Sequence, residues 1–216
     1  MDIAIIGAGN VGGALATAFV RAGHTVTITS RDVEHARAAA DASGATPATS
    51  NQEAARGAAL TVLAVPFASV PDIAAEIGDA VAGKVVIDAT NRMSFGAAGP
   101  EIDTATSNAE EIASLLPEAR IVKAFNTLFA SNQSDPVADG VQLDGYVAGD
   151  DATARATVLE LVESIGLRPV DVGVLARARQ LEGLAFLNIA INVSNGGSWT
   201  SGWKLVGAPD PDRLAA

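Results

Sequence analysis

The sequence contains no cysteine. That excludes disulfides, zinc–thiolate centres and cysteine nucleophiles. Histidine occurs only at positions 24 and 35, too few for a multi-histidine metal site. Lysine occurs only at 84, 123 and 204, tyrosine only at 146, and aromatic residues make up 4% of the chain. Arg and Lys together number 14 against 25 Asp and Glu, a formal net charge of −11. A chain so acidic lacks the basic face that nucleic acid or an anionic membrane requires. No stretch reaches the roughly 20 apolar residues of a membrane span. The apolar start, Ile3 to Ile6, runs directly into glycines rather than into a signal-peptide core. The expectation is a cytoplasmic protein that binds small molecules and neither nucleic acid nor membrane.

What the sequence does hold is an alternation of β-branched runs and alanine-rich helical segments over its first 165 residues. Strands are expected at 3–6, 25–29, 60–65, 84–88 and 120–124, with a sixth at 146–148. Helices are expected at 10–22, 32–42, 70–77, 108–116 and 152–165; residues 89–106 read as a loop. This order predicts an α/β fold, a Rossmann-type doubly wound parallel sheet with a small C-terminal helical segment. The expected domains are a dinucleotide-binding domain at 1–165, an extension at 166–208 and a tail at 209–216. Within the extension, 166–173 reads as a strand or extended turn, and 175–193 as one long helix apolar on nearly every side. Such a helix must be buried, and a homodimer is expected to supply part of the cover.

The strongest local signal is Gly7-Ala8-Gly9-Asn10-Val11-Gly12, a G-x-G-x-x-G turn between an expected strand and an expected helix. Gly7 would permit the tight turn, Gly9 would let a pyrophosphate approach, and Gly12 would let helix and strand pack closely. The uncapped helix N-terminus would meet the phosphates. The competing reading is a plain strand-to-helix turn.

At the end of the second strand, Ser30 stands where an NAD site has its ribose-binding acid, with Arg31 next and His35 one turn on. A hydroxyl and a guanidinium suit a 2′-phosphate, so NADP is favoured over NAD. Asp32 reads as a helix N-cap in preference to a displaced ribose-binding acid, and His35 fits a solvated helix face equally well. The other strand ends carry Ala64-Val65-Pro66, Asn91 and Asn126. Backbone groups at Ala64 and Val65 would lie along the nicotinamide ribose. The two asparagines would face a carboxamide or a second substrate, or bond their own loops. Arg92 reads as an anion ligand or a solvated charge. Lys123 is either an active-site residue or a snorkelling side chain. No acid/base side chain stands out as catalytic. That poverty points to hydride transfer between two cofactors, where the protein mainly orients.

These residues resemble the NADP oxidoreductases that use the deazaflavin coenzyme F420. The resemblance covers nearly the whole chain. It rests on IAIIGAGNVG, TSRD, LAVPF at 63–67, IVKAFNT at 121–127, GLRPVDVG at 166–173, the apolar helix, and Asn195-Gly196 with Lys204 beyond. It implies reversible hydride transfer between reduced F420 and NADP. It also implies NADP contacts at Gly9, Asn10, Val11, Ser30, Arg31, Ala64 to Pro66 and Ala130. The family often has arginine at the position of His35 and threonine at that of Ala8. Asn188, Asn192 and Asn195 would form one helical stripe, facing either the ring pocket or another helix across a subunit interface. Arg177, Arg179 and Lys204 are candidate ligands for the polyanionic tail of F420, or ordinary surface charges. The alternative enzyme reading is an NADP-dependent reductase of a small imine or a keto or hydroxy acid. The non-enzymatic alternative is an NADP-binding redox sensor.

Overall fold

The computed structural model describes residues 1–96, 99–102 and 105–207. The expected tail at 209–216 lies outside them. The first half builds β1 (Asp2–Ile6), α1 (Asn10–Arg21), β2 (Thr25–Thr29), α2 (Val33–Ser43), β3 (Thr46–Pro47), α3 (Asn51–Gly57), β4 (Leu60–Leu63), α4 (Val70–Val81) and β5 (Val85–Asp88). A hairpin of β6 (Ser94–Gly96) and β7 (Gly99–Glu101) follows, where the sequence reads as loop, then α5 (Asn108–Leu115) and β8 (Arg120–Lys123). The second half adds α6 (Ala130–Ser134), β9 (Val137–Ala138), β10 (Val141–Gln142), β11 (Asp144–Gly149), α7 (Ala152–Ser164), β12 (Arg168–Gly173) and α8 (Ala178–Asn195).

Eight strands form one sheet in the order β12-β11-β8-β5-β4-β1-β2-β3. The six from β3 to β8 are mutually parallel. Their order places a topological switch between β1 and β4, with the crevice beyond their carboxyl ends. The last two strands depart from the all-parallel expectation: β11 runs antiparallel to β8, and β12 runs parallel to β11. Between β8 and β11 the only helix is α6, five residues long, in place of the full crossover helix that usually returns a chain to a parallel strand.

Two apolar clusters sandwich the sheet. Leu15, Phe19, Val158 and Leu161 belong to one, and Ile77, Val81, Ile112 and Leu116 to the other. The helix expected at 175–193 is α8, preceded by one 3-10 turn at Leu175–Arg177. Its buried face is mixed: Ala178, Leu181 and Ala185 share it with polar side chains. Glu182, Asn188 and Asn192 are buried, whereas Leu187 and Ile191 are each 47% exposed. Among the described residues no helix is long and apolar enough to cross a membrane.

Asp144, at the start of β11, ties down the chain beyond α8. Its buried carboxylate accepts from Arg168 Nε at 2.7 Å, Lys204 Nζ at 3.0 Å and the Leu205 N–H at 2.6 Å. Burial pushes this carboxyl upward, but Arg168, the Leu205 N–H and Lys204 outweigh it and hold it below the ordinary range. The ionised form therefore stabilises the fold above about pH 4, and that contribution is lost as pH falls through the lower folded value. Asp144→Asn is expected to destabilise the protein at pH 7 and to flatten the acid limb of its stability profile. Urea unfolding followed by tryptophan emission from pH 7 to about pH 2 reads both effects; a parent-like acid limb would contradict the assignment.

Candidate active site

The glycine turn is built by three different contacts. Gly7 has φ +110°, and a Cβ there would lie 2.3 Å from the Ala64 carbonyl oxygen, so the ends of β1 and β4 meet only because it is glycine. A Cβ on Gly12 would lie 1.8 Å from the Gly7 oxygen, which sets how closely α1 approaches its own strand. At Gly9 a Cβ would meet nothing within 4 Å; the residue borders open cleft. Gly9 is also the N-cap of α1 and provides no side-chain cap. The first N–H groups of the helix therefore remain unpaired, a fixed anion-binding set. Pyrophosphate fits this cradle.

Two clefts flank that helix start. The first, about 410 Å³, gathers Gly7, Ala8, Gly9, Ser30, Arg31 and His35 with the turn Ala64, Val65 and Pro66. Arg31 and His35 are exposed, and Ser30 is half-buried. Arg31 pairs with no acid among the described residues. Asp32 is the N-cap of α2: its Oδ1 accepts from the Glu34 N–H at 2.9 Å and the His35 N–H at 3.4 Å. This cleft also contains Asn51, Asp72 and Glu76, which the sequence does not single out. Asn51 accepts from Thr29 Oγ1 at 2.6 Å and donates to Glu76 at 2.8 Å. Only the fold brings α3 and α4 to the end of β2.

The second cleft, about 470 Å³, gathers Asn10, Val11, Asn91, Asn126 and Ala130. Phe125 aims Asn126 at it. A buried, non-glycine residue at φ +66°, Phe125 is held by Gln133 Nε2 on its carbonyl at 3.1 Å and by Phe19 edge-on at 5.6 Å. Strained backbone of this kind persists only where its surroundings fix it. Asn126 Nδ2 donates to Asn91 Oδ1 at 2.9 Å and to the Leu181 carbonyl at 3.1 Å, and Asn91 Nδ2 donates to the Asn126 carbonyl at 3.0 Å. Asn126 Oδ1 is buried without a partner among the described residues, an unspent acceptor at the cleft wall. The lining comprises amides, hydroxyls, rings and aliphatic groups, with no acid, base or cysteine among the described residues.

The remaining titratable candidates are engaged elsewhere. Lys123 neither lines a cleft nor reaches solvent. It is 0% exposed, and its Nζ donates to Asp88 at 2.8 Å, to the Thr90 carbonyl at 2.6 Å and to Glu182 at 2.7 Å. Burial pushes the Glu182 carboxyl upward, against the pull of Lys123. Tyr146 donates to Asp144 at 3.2 Å; burial first, and then the Asp144 charge, push it up to about 12. His24 bonds Ser164 and the N-terminus, and burial lowers its pKa. Arg179 forms a two-pronged pair with Glu110 at 2.8 and 2.7 Å, Lys204 binds Asp144, Arg177 donates to the Val172 carbonyl, and Arg92 pairs with Glu111. Arg177, Arg179 and Lys204 do not converge on the second cleft, because each is fixed by a nearer acceptor. Of the asparagine stripe, Asn188 lines the second cleft. Asn188 and Asn192 bind the chain at 199–201, and Asn195 is exposed on its own helix.

Residues 2–92 match the family model described as NADP oxidoreductase, coenzyme F420-dependent. The F420-dependent NADP reductase of Methanothermobacter thermautotrophicus is 37% identical over 215 residues, covering 90% of this chain and 90% of that one. The metalloreductase STEAP3 of Rattus norvegicus is 31% identical over 183 residues; the match covers 84% of this chain and 36% of the relative, so the chain spans about a third of that protein. A crystal structure from Arthrobacter sp. FB24, described as a proposed F420-dependent NADP reductase, superposes with a TM-score of 0.85 at 30% identity, over 95% of this chain and 99% of that one. A reductive aminase from Aspergillus terreus in complex with NADPH superposes with a TM-score of 0.68 at 23% identity, over 90% of this chain and 63% of that one, which shows a shared fold.

Two sets of substitutions test this architecture. Gly12→Ala is expected to destabilise the protein by about 1–3 kcal/mol through forced overpacking. Gly13→Ala, whose Cβ would meet nothing within 4 Å, is expected to stabilise it by about 0.5–1 kcal/mol; equal effects in urea unfolding would rule out the Gly7–Gly12 contact as the limit. Lys123→Met strands two buried carboxylates and is expected to cost about 3–5 kcal/mol. A loss below about 1 kcal/mol in the same measurement would mean the cluster is not held as described.

Proposed function

Because the chain belongs to the family of coenzyme F420-dependent NADP oxidoreductases, we propose that it transfers a hydride reversibly between NADP(H) and the deazaflavin coenzyme F420. Reduced F420 and NADP⁺ give F420, NADPH and one proton, so the two substrates supply the C–H chemistry themselves. What the chain contributes is binding and alignment. The observation that carries the reading is the second cleft. It opens beside the uncapped start of α1 and presents amides, hydroxyls and rings, with no proton donor among its described lining residues. The one proton that accompanies hydride exchange leaves or joins a ring nitrogen of the deazaflavin, where solvent can exchange it, so no dedicated side-chain acid is required. Reduction of an imine or a keto acid draws on a positioned acid, which this lining lacks.

In this reading the N–H groups at Asn10, Val11 and Gly12, with Gly9 giving room, receive the pyrophosphate. Ser30, Arg31 and His35 receive the 2′-phosphate. The turn at Ala64, Val65 and Pro66, with Gly7 and Ala8 opposite, follows the dinucleotide across the strand ends. Asn91, Asn126 and Ala130 meet the nicotinamide end. NADP is a cofactor of the cell interior, so the reading places the chain in the cytoplasm. It also pairs two copies across the outward face of α8, where Leu187, Ile191 and Val193 are about half exposed. Such a face is the kind that subunit contacts cover.

The test is spectral. Mixing reduced F420, NADP⁺ and the protein is expected to restore the visible band of oxidised F420 as NADPH appears; no change in either cofactor would reject the reading. Arg31→Ala is expected to raise KM for NADP about tenfold and to leave NAD use unchanged. Equal use of NADP and NAD by the parent protein would remove the 2′-phosphate assignment.

A further inference from the structure

One wall of the second cleft is an aromatic ring that the fold holds by its backbone. α8 ends at Gly196, and the chain turns back sharply: a Cβ at Gly197 would lie 2.1 Å from Asn192 Oδ1. Two residues on, Trp199 adopts φ +59°, a conformation that a bulky side chain keeps only under constraint. Both of its backbone polar groups are tied to side chains. Its N–H donates to Asn192 Oδ1 at 3.1 Å, and its carbonyl accepts from Ser131 Oγ at 2.8 Å. Asn132 and Asn188 hold the next two carbonyls, those of Thr200 and Ser201, at 3.0 and 3.1 Å.

The indole itself is not spent on the core. It meets Phe129 in a T-shaped contact, with ring centroids 5.2 Å apart and planes at 75°, and the residue remains 45% exposed while lining the cleft. Three buried asparagines, the exposed Ser131 and a strained backbone thus present one uncovered aromatic surface. The cleft it faces begins at Asn10 and Val11, beside the phosphate turn. Resting on the functional reading above, we infer that Trp199 is a specificity-determining residue that stacks on the flat tricyclic ring of the second substrate, F420. A ring face offered to a planar, electron-poor heterocycle selects for shape and π-character without donating or removing a proton.

Steady-state kinetics and Trp emission together test this. Trp199→Ala is expected to raise KM for F420 about tenfold and to leave KM for NADP within about twofold of the parent. Titration with oxidised F420 is expected to quench parent emission saturably, beyond the loss in Trp199→Phe, which keeps Trp203 and serves as the absorption control. If the parent transfers hydride but the variant's KM for F420 is unchanged, or the quenching matches the control, the stacking role falls and the functional reading stands. If the parent transfers no hydride, the functional reading falls and the titration still decides: saturable extra quenching supports a ring seated on Trp199, and its absence overturns that as well.

Discussion

An ammonium ion with no exposure to water sits where β5, β8 and α8 meet, and the architecture of the candidate site depends on it. Lys123 spends all three of its hydrogens, on Asp88, Thr90 and Glu182. Taking one cation and two carboxylates out of water is unfavourable unless each is closely compensated. Glu182 also accepts from the first N–H of α5. A single carboxylate thus joins α8 to both the interior of the sheet and a neighbouring helix. One residue earlier, the Leu181 carbonyl receives Asn126 Nδ2. The charge cluster under the cleft and the amide pair at its wall are therefore parts of one hydrogen-bonded unit.

The start of α1 organises the other side. Gly9 faces the first cleft, while Asn10 and Val11 face the second, so one helix terminus stands between them. A dinucleotide lying across that terminus would have its adenosine end in one cleft and its nicotinamide end in the other. The close contacts at Gly7 and Gly12 make this possible, because they bring the terminus down onto the strand ends instead of leaving it a side chain's width away.

Much of this was legible in the sequence, and the parts that were not share a cause. Strands such as 25–29 and helices such as 10–22 declare themselves by composition and period. The glycine turn declares itself by spacing, and Asp32 by its position before a helix. The two-residue β3 and the seven-residue α3 are too short to show a period. The reversal of β11 goes with a connection that lacks a full crossover helix, which no local pattern reports. Lys123 reads locally as a snorkelling side chain; its burial follows from Glu182, 59 positions away. Asn188 and Asn192 form the stripe that their spacing implies, but their partners lie in a segment without regular structure. The role of Trp199 in the cleft wall has no local signature, since the ties on its backbone come from α6 and α8.

The mixed inner face of α8 also bears on which placements of the helix the protein tolerates. Beside Ala178, Leu181 and Ala185 it buries Glu182, Asn188 and Asn192, groups that are unfavourable to dehydrate without their partners. A slip of one residue would carry Glu182 away from Lys123 and the two asparagines away from the chain at 199–201. The polar members of the face therefore specify the helix's position more sharply than a stripe of alanine and leucine alone would.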